Sequence, residues 1–220
     1  MRVIILAAGK GERLMPLTNN TPKSLLELAN GTSVLESQLL SIHEAGIREV
    51  AIVTGYLTEQ IEAKINKYSG EYGIEFQIIF NPFYDVSNNL ISLWQAKHYM
   101  NEDFIIINGD DIFKDSVIKG LVSQDTSQQL CMVIDRKNSY DQDDMKLIIE
   151  KDNILKIGKQ LPEKEANGYQ SWDCYSFGNL LYKMFTGDHF LQDEINTAHE
   201  NNVKVSELMM SYLNKDGKIN

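Results

Sequence analysis

Several stretches of the chain carry residues that could do chemistry on a phosphorylated substrate. Leu6-Ala7-Ala8-Gly9-Lys10-Gly11-Glu12-Arg13-Leu14 follows directly on a short apolar run. Small residues let a backbone turn tightly and present its N–H groups, which suits close approach to phosphates. Arg13 adds a planar, multi-donor cation. In Thr21-Pro22-Lys23-Ser24-Leu25, Pro22 stiffens the chain and Lys23 supplies a point charge. Two cations on a glycine-rich loop at a strand end form a clamp for a triphosphate. Further on, Phe104–Asn108 opens into Gly109-Asp110-Asp111. A strand-end aspartate beside a triphosphate is placed to hold Mg²⁺, which takes oxygen ligands and keeps substrate phosphates in its shell. Asp110 is the candidate metal ligand, and Asp111 is assigned to the loop itself. In Asn81–Trp94, polar Ser87, Asn88 and Asn89 precede an amphipathic stretch and can cap it, with Leu90, Leu93, Trp94 and Ala96 expected in the core.

Competing chemistries lack their residues. A P-loop needs Gly-x-x-x-x-Gly-Lys-Ser/Thr, which is absent, and the dinucleotide fingerprint needs a third glycine where Leu14 stands. His43, His98, His189 and His199 show no metal-ligand spacing. Cys131 and Cys174 form no CxxC pair and read as reduced thiols of a cytoplasmic protein.

The elements that must position these residues alternate. Strands are expected at Arg2–Leu6, Glu49–Val53, Glu75–Phe80, Phe104–Asn108 and Leu130–Ile134. Ser33-x-x-Glu36 has the form of a capping box before the stripe Leu35, Leu39, Ile42, Ala45, with Gly46 as the stop. Thr58 is expected to cap a helix over Glu59–Tyr68, and further helices are expected over Asn89–Met100 and Asp115–Val122. This rhythm implies parallel βαβ units, with ligands at the carboxyl ends of the strands. Beyond Asp135, Met145–Glu150 and Ile154–Gly158 flank Lys151-Asp152-Asn153 as a hairpin. Ser176–Tyr182 reads as a strand and Val205–Leu213 as a helix. The expected fold is α/β: a doubly wound, mostly parallel Rossmann-like sheet with a small antiparallel acceptor-side insertion. One domain over 1–220 is expected, with a nucleotide-binding core at 1–135, a β insertion at 136–183 and a helical segment at 184–220.

The segment Leu6-Ala-Ala-Gly-x-Gly-x-Arg13-Leu…Pro16-Leu-Thr…Pro22-Lys23-Ser-Leu resembles the signature of nucleotidyltransferases that make sugar nucleotides and CDP-alcohols. The resemblance extends over about residues 1–160. It implies that the backbone of Leu6, Ala7, Ala8, Gly9 and Gly11 holds base and phosphates. Arg13 would grip the β- and γ-phosphates, and Lys23 the α-phosphate and the acceptor phosphate. Tyr84-x-x-Ser87-Asn88-Asn89…Ser92-Leu93 resembles the cytidylyltransferase branch, which includes enzymes activating phosphocholine and 2-aminoethylphosphonate. That implies CTP as substrate and contact of Ser87, Asn88 and Asn89 with the base. The same branch carries an acidic run, then Met-Lys-Val and Ile-x-Lys, so Lys146 and Lys159 resemble acceptor-side cations. Trp172, with Tyr169 and Tyr175, could wall a cationic head group through cation–π attraction, assisted by Asp173. Family members carry a second metal carboxylate in a Trp-x-Glu-Ile-Asp-Thr-x-x-Asp-like segment. Glu194-Ile195-Asn196-Thr197 lies too early and has Asn where Asp is expected, so the second ligand is expected either from elsewhere, Asp173 or Asp193, or from a C-terminal tail not included in these 220 residues. Two alternatives stand beside CMP transfer: a sugar-1-phosphate nucleotidyltransferase using UTP, dTTP or GTP, and a non-catalytic nucleotide-binding protein.

Composition sets the background. The 220 residues fit one core, and their net charge of −10 argues against nucleic acid or an anionic membrane as partner. Apolar runs such as Val3–Ala8 fall far short of the about 20 residues a membrane helix needs. The expected partners are CTP and a small anionic acceptor, with a homodimer as the expected assembly.

Overall fold

The computed structural model describes residues 1–123, 131–136, 139–140, 144–150, 153–166 and 169–171. They fall in two compact units, residues 1–123 and residues 131–171.

The first unit is built on β1 (Arg2–Ala7), β2 (Glu49–Thr54), β3 (Glu75–Phe80) and β4 (Phe104–Asn108). All pairings are parallel, in the order β3-β2-β1-β4. The chain winds from β1 through β2 to β3, then returns to place β4 on the other side of β1. The switch in direction therefore falls between β1 and β4, where ligands of open α/β sheets sit. β1 is central, and Val3, Ile4 and Ile5 are wholly inaccessible to solvent. Its alternate residues serve two layers. Val3, Ile5 and Ala7 join Leu35, Leu39, Ile42, Ile61, Ile65 and Ile118 in one apolar cluster. On the opposite face, β1 and β2 are covered by the helix that carries Leu93. A strand buried on both sides reads as a continuous apolar run, as Val3–Leu6 does.

Helix α1 (Val34–Glu44) begins as the sequence predicts, with Ser33 Oγ accepting from the Glu36 N–H at 3.1 Å. The Glu36 carboxylate does not reach back to the cap. It accepts instead from the hydroxyls of Tyr68 and Tyr72, at 3.1 and 3.3 Å. At the other end, Gly46 adopts φ 82° and the Ile47 N–H reaches the Ile42 carbonyl at 3.2 Å, a left-handed stop. Helix α2 runs over Thr58–Tyr72, a turn longer than expected, because Tyr72 extends the stripe Ile61, Ile65, Tyr68. Its cap position is Leu57, not Thr58. The Thr58 hydroxyl is drawn instead to Thr54 Oγ1, 2.7 Å away on the buried end of β2. Helix α3 (Asn89–Gln95) is shorter than expected and gives way to a tight turn over Lys97–Tyr99. Leu93 and Ala96 are fully buried as expected, but Trp94 is 44% exposed on the outer side, under the Lys97 ammonium. Helix α4 (Asp115–Val122) closes the unit as predicted.

The second unit is an antiparallel sheet of β5 (Ile134–Arg136), β6 (Met145–Glu150), β7 (Asn153–Gly158) and β8 (Tyr169–Ser171), in the order β5-β8-β6-β7. The predicted hairpin is β6–β7, bulged between Ile148 and Ile149. The strand expected over Leu130–Ile134 forms later, at Ile134–Arg136, and pairs with β8 instead of extending the parallel sheet. Helix α5 (Glu163–Ala166), which the sequence did not suggest, packs on β6 and buries Ala166 beside that sheet's Met145 and Leu147. The expectations for Trp172, Asp173, Tyr175, Ser176–Tyr182, Asp193, Glu194–Thr197 and Val205–Leu213 lie outside the described residues. No described helix is long and apolar enough to cross a membrane.

Candidate active site

The loop after β1 is held by contacts from later segments. Leu6, Ala7 and Ala8 are buried and Gly9 is exposed, while Gly11 turns the chain at φ 66°. A side chain at Gly11 would be strained by that φ and would stand 3.1 Å from Thr18 Cγ2 and 3.2 Å from Lys23 Cβ. Thr18, fully buried, donates its hydroxyl to the Gly11 carbonyl at 2.9 Å. Arg13 lies on the exposed single turn Glu12–Leu14. The chain that follows is pinned to the α2 side: the Tyr56 hydroxyl donates to the Asn19 carbonyl at 2.6 Å, and Gln60 Nε2 donates to that of Asn20 at 2.9 Å. It then re-enters through the turn Lys23–Leu25, whose Ser24 and Leu25 are buried.

The loop after β4 meets this one closely. The Gly109 N–H donates to the Leu6 carbonyl at 2.8 Å, and a Cβ at Gly109 would lie 2.8 Å from that oxygen and 2.9 Å from Ala7 Cβ. Only glycine permits this approach. Asp110 then emerges exposed and forms an ion pair with Lys23. Asp111 turns back, its Oδ2 accepting from the Asn108 N–H at 3.2 Å. Gln38, 2% exposed on α1, donates to the carbonyls of Asn108 and Asp111 at 2.9 and 2.8 Å. One buried amide thus brackets Asp110 on both sides.

The loop after β3 is organised by Asn81, which is wholly buried. Its Nδ2 donates to the hydroxyls of Ser87 and Ser92 at 3.1 and 3.0 Å, and its Oδ1 accepts from the Phe83 N–H at 2.9 Å. Asn88 caps α3, accepting from the Leu90 N–H at 3.0 Å. Asn89 Nδ2 donates to Asn108 Oδ1 at 3.2 Å, which joins this loop to the end of β4. Lys10 reaches across from the glycine-rich turn to pair with Asp85, whose hydrogen bond raises the Lys10 ammonium above its ordinary pKa.

The structure therefore brings together Leu6, Ala7, Ala8, Gly9, Gly11, Lys23, Asn89 and Asp110, with Ser87 and Asn88 on the adjoining loop. Lys146 and Lys159 belong to the second unit. There the buried Lys146 ammonium donates to the Lys159 carbonyl at 2.6 Å and lies 5.5 Å from the Tyr140 ring centroid. Sequence reasoning missed Lys10, Asp85, Gln38 and Asn81. Gln38 had a visible signal, an amide on the apolar stripe of α1 between Leu35 and Ile42.

The donor set around Asp110 suits a hard cation shared with a ligand. Among the described residues no cluster of three or more His, Cys, Asp or Glu side chains could enclose a metal. Mg²⁺ characteristically takes one or two carboxylates and completes its shell with water and phosphate oxygens. Asp110 fits that role.

A glycine-rich turn facing an acidic strand end across a switch point is an arrangement of α/β proteins that bind nucleotides. The family described as Nucleotidyl transferase matches residues 2–143, and the chain belongs to it. Within that family it is similar to cytidylyltransferases. The CTP:phosphoglutamine cytidylyltransferase of Campylobacter jejuni is 32% identical over 142 residues, 62% of this chain and 53% of that protein. The choline-phosphate cytidylyltransferase of Streptococcus pneumoniae is 37% identical over 114 residues, 52% of this chain and 47% of that protein. The solved CTP:phosphocholine cytidylyltransferase of Streptococcus pneumoniae superposes with a TM-score of 0.52 at 25% identity, covering 89% of this chain and 86% of the other. The chain spans about half the length of these two curated relatives.

Proposed function

We propose that the protein transfers CMP from CTP to a small phospho- or phosphono-compound and releases pyrophosphate. The observation that carries this reading is the meeting of Lys23 and Asp110, from the loops after β1 and β4, beside the glycine-rich turn at the switch point. The names of the relatives support CTP as donor and a phosphorylated amine or amide as acceptor class.

In this reaction an acceptor oxygen attacks the α-phosphorus, and the bond between that phosphorus and the α–β bridging oxygen breaks. The electron pair leaves with pyrophosphate, and no protein nucleophile is needed. Catalysis is then positioning and charge neutralisation. Backbone N–H groups of residues 8–11 and the Arg13 guanidinium hold the β- and γ-phosphates, and Lys23 neutralises the α-phosphate. Ser87, Asn88 and Asn89 face the base. Mg²⁺, held by Asp110, would supply charge neutralisation and orient the phosphates. The resemblance assigns the acceptor anion to Lys159, whose carbonyl accepts from the buried Lys146 ammonium at 2.6 Å.

The test is pyrophosphate release by purified protein with CTP, Mg²⁺ and a panel of phosphocholine, 2-aminoethylphosphonate and phosphoglutamine, with products identified by mass. Turnover with CTP and one of these acceptors is expected. Turnover only with UTP, dTTP or GTP and a sugar 1-phosphate would replace the reading. CTP binding without pyrophosphate release would make the protein a binder rather than a transferase.

A further inference from the structure

We propose that Lys23 is the resident counter-ion of Asp110, so that a divalent cation and Lys23 compete for one carboxylate and the cation enters together with a triphosphate. The inference rests on the reading of this site as a nucleotide site and concerns how it is loaded. Lys23 and Asp110 are in direct ionic contact, each partly shielded, with side chains 29% and 40% exposed. The neighbouring Asp111 turns back into the loop, its Oδ2 accepting from the Asn108 N–H at 3.2 Å. Gln38 holds both flanking carbonyls, so the loop cannot easily turn Asp110 away from Lys23.

A cation arriving at Asp110 therefore meets a carboxylate already neutralised and an ammonium that repels it. A triphosphate removes both obstacles, because its oxygens are strong acceptors for the Lys23 ammonium and are themselves cation ligands. Linkage makes the effect mutual: whatever factor the triphosphate adds to cation affinity, the cation adds to triphosphate affinity. In the nucleotide-free protein, Lys23 suppresses cation binding and guards Asp110. In the loaded protein the same ammonium faces the α-phosphate.

The experiment is a Mn²⁺ titration of nucleotide-free protein, followed by the electron paramagnetic resonance signal of free Mn²⁺. Lys23→Gln is expected to bind Mn²⁺ about tenfold more tightly than wild type, the low end of what an adjacent opposite charge does to a carboxylate, taken because the pair is partly exposed. Lys23→Met should show the same gain without offering a ligand oxygen, and Lys23→Arg should stay at the wild-type value. Adding Asp110→Asn to Lys23→Gln should abolish the gain. Equal or weaker binding in folded Lys23→Gln and Lys23→Met would overturn the proposal, as would a gain that survives loss of Asp110. No nucleotide is present, so this outcome is independent of the pyrophosphate assay. Turnover in that assay with no gain here would sink the counter-ion role and leave the transferase reading standing.

Discussion

At the residue scale, the side chains of the candidate site are held by partners far away in the chain. Lys23 and Asp110 are 87 positions apart, and Gln38 and Asn108 are 70 apart. Lys23→Ala removes the cation assigned to the α-phosphate. With CTP and the best acceptor of the panel, turnover should fall by about 10²- to 10³-fold, as when one preorganised charge-stabilising donor is deleted. Unchanged thermal unfolding would show that the fold survives. Gln38 acts differently, because it touches no ligand. Gln38→Leu removes one donor from the Asn108 carbonyl, which keeps the Asp111 N–H at 3.1 Å, and one from the Asp111 carbonyl, at a cost of about 0.5–1.5 kcal/mol per hydrogen bond. The expected outcome is a lower unfolding midpoint in urea together with a raised requirement for Mg²⁺ in the activity assay. A lower midpoint with an unchanged Mg²⁺ requirement would confine Gln38 to stability.

At the scale of elements, local signals marked which segments form helices and strands, and tertiary contacts shifted several of their caps and ends, as at Leu57 before α2 and Ile134 at the start of β5. Ser33 caps α1 because its hydroxyl needs only the N–H three residues on. The partner of Glu36 could not be read from the same local rule, since two tyrosines of α2 take the carboxylate that a capping box would use. Those tyrosines have a measurable signature. Burial first, then the charges of Glu36 and Glu71, push the Tyr72 hydroxyl up to about 12 from its ordinary value near 10. The folded state therefore keeps a proton that the unfolded chain loses. This contribution to stability is complete below pH 10 and disappears as the pH rises from about 10 to 12. Tyr72→Phe should flatten that alkaline loss while leaving the pH dependence near neutrality alone, as followed by urea unfolding at stepped pH. Trp94 illustrates the opposite limit. Its helical spacing suited the core, but α3 is short and buries only the face bearing Leu93 and Ala96.

At the scale of the whole molecule, two units divide the proposed work: the parallel sheet carries the nucleotide loops, and the antiparallel sheet carries Lys146 and Lys159. Lys159→Ala should raise the KM for the acceptor with little change in that for CTP; an unchanged acceptor KM would remove Lys159 from the site. The apolar run Val3–Leu6, the caps Ser33 and Asn88 and the glycine-rich and aspartate loops were legible because periodicity, small residues and capping side chains act within a few positions. The alternation of those elements implied a parallel, doubly wound sheet, and the segment Leu6–Leu25 carried the family resemblance, while the strand order β3-β2-β1-β4 came only with the tertiary structure. The pairing of Lys23 with Asp110, of Lys10 with Asp85, and the hold of Gln38 and Asn81 on their loops were decided only by the tertiary structure. Side chains distant in the chain meet there because parallel strands end on one edge of the sheet, and no local spacing encodes which of them will face one another.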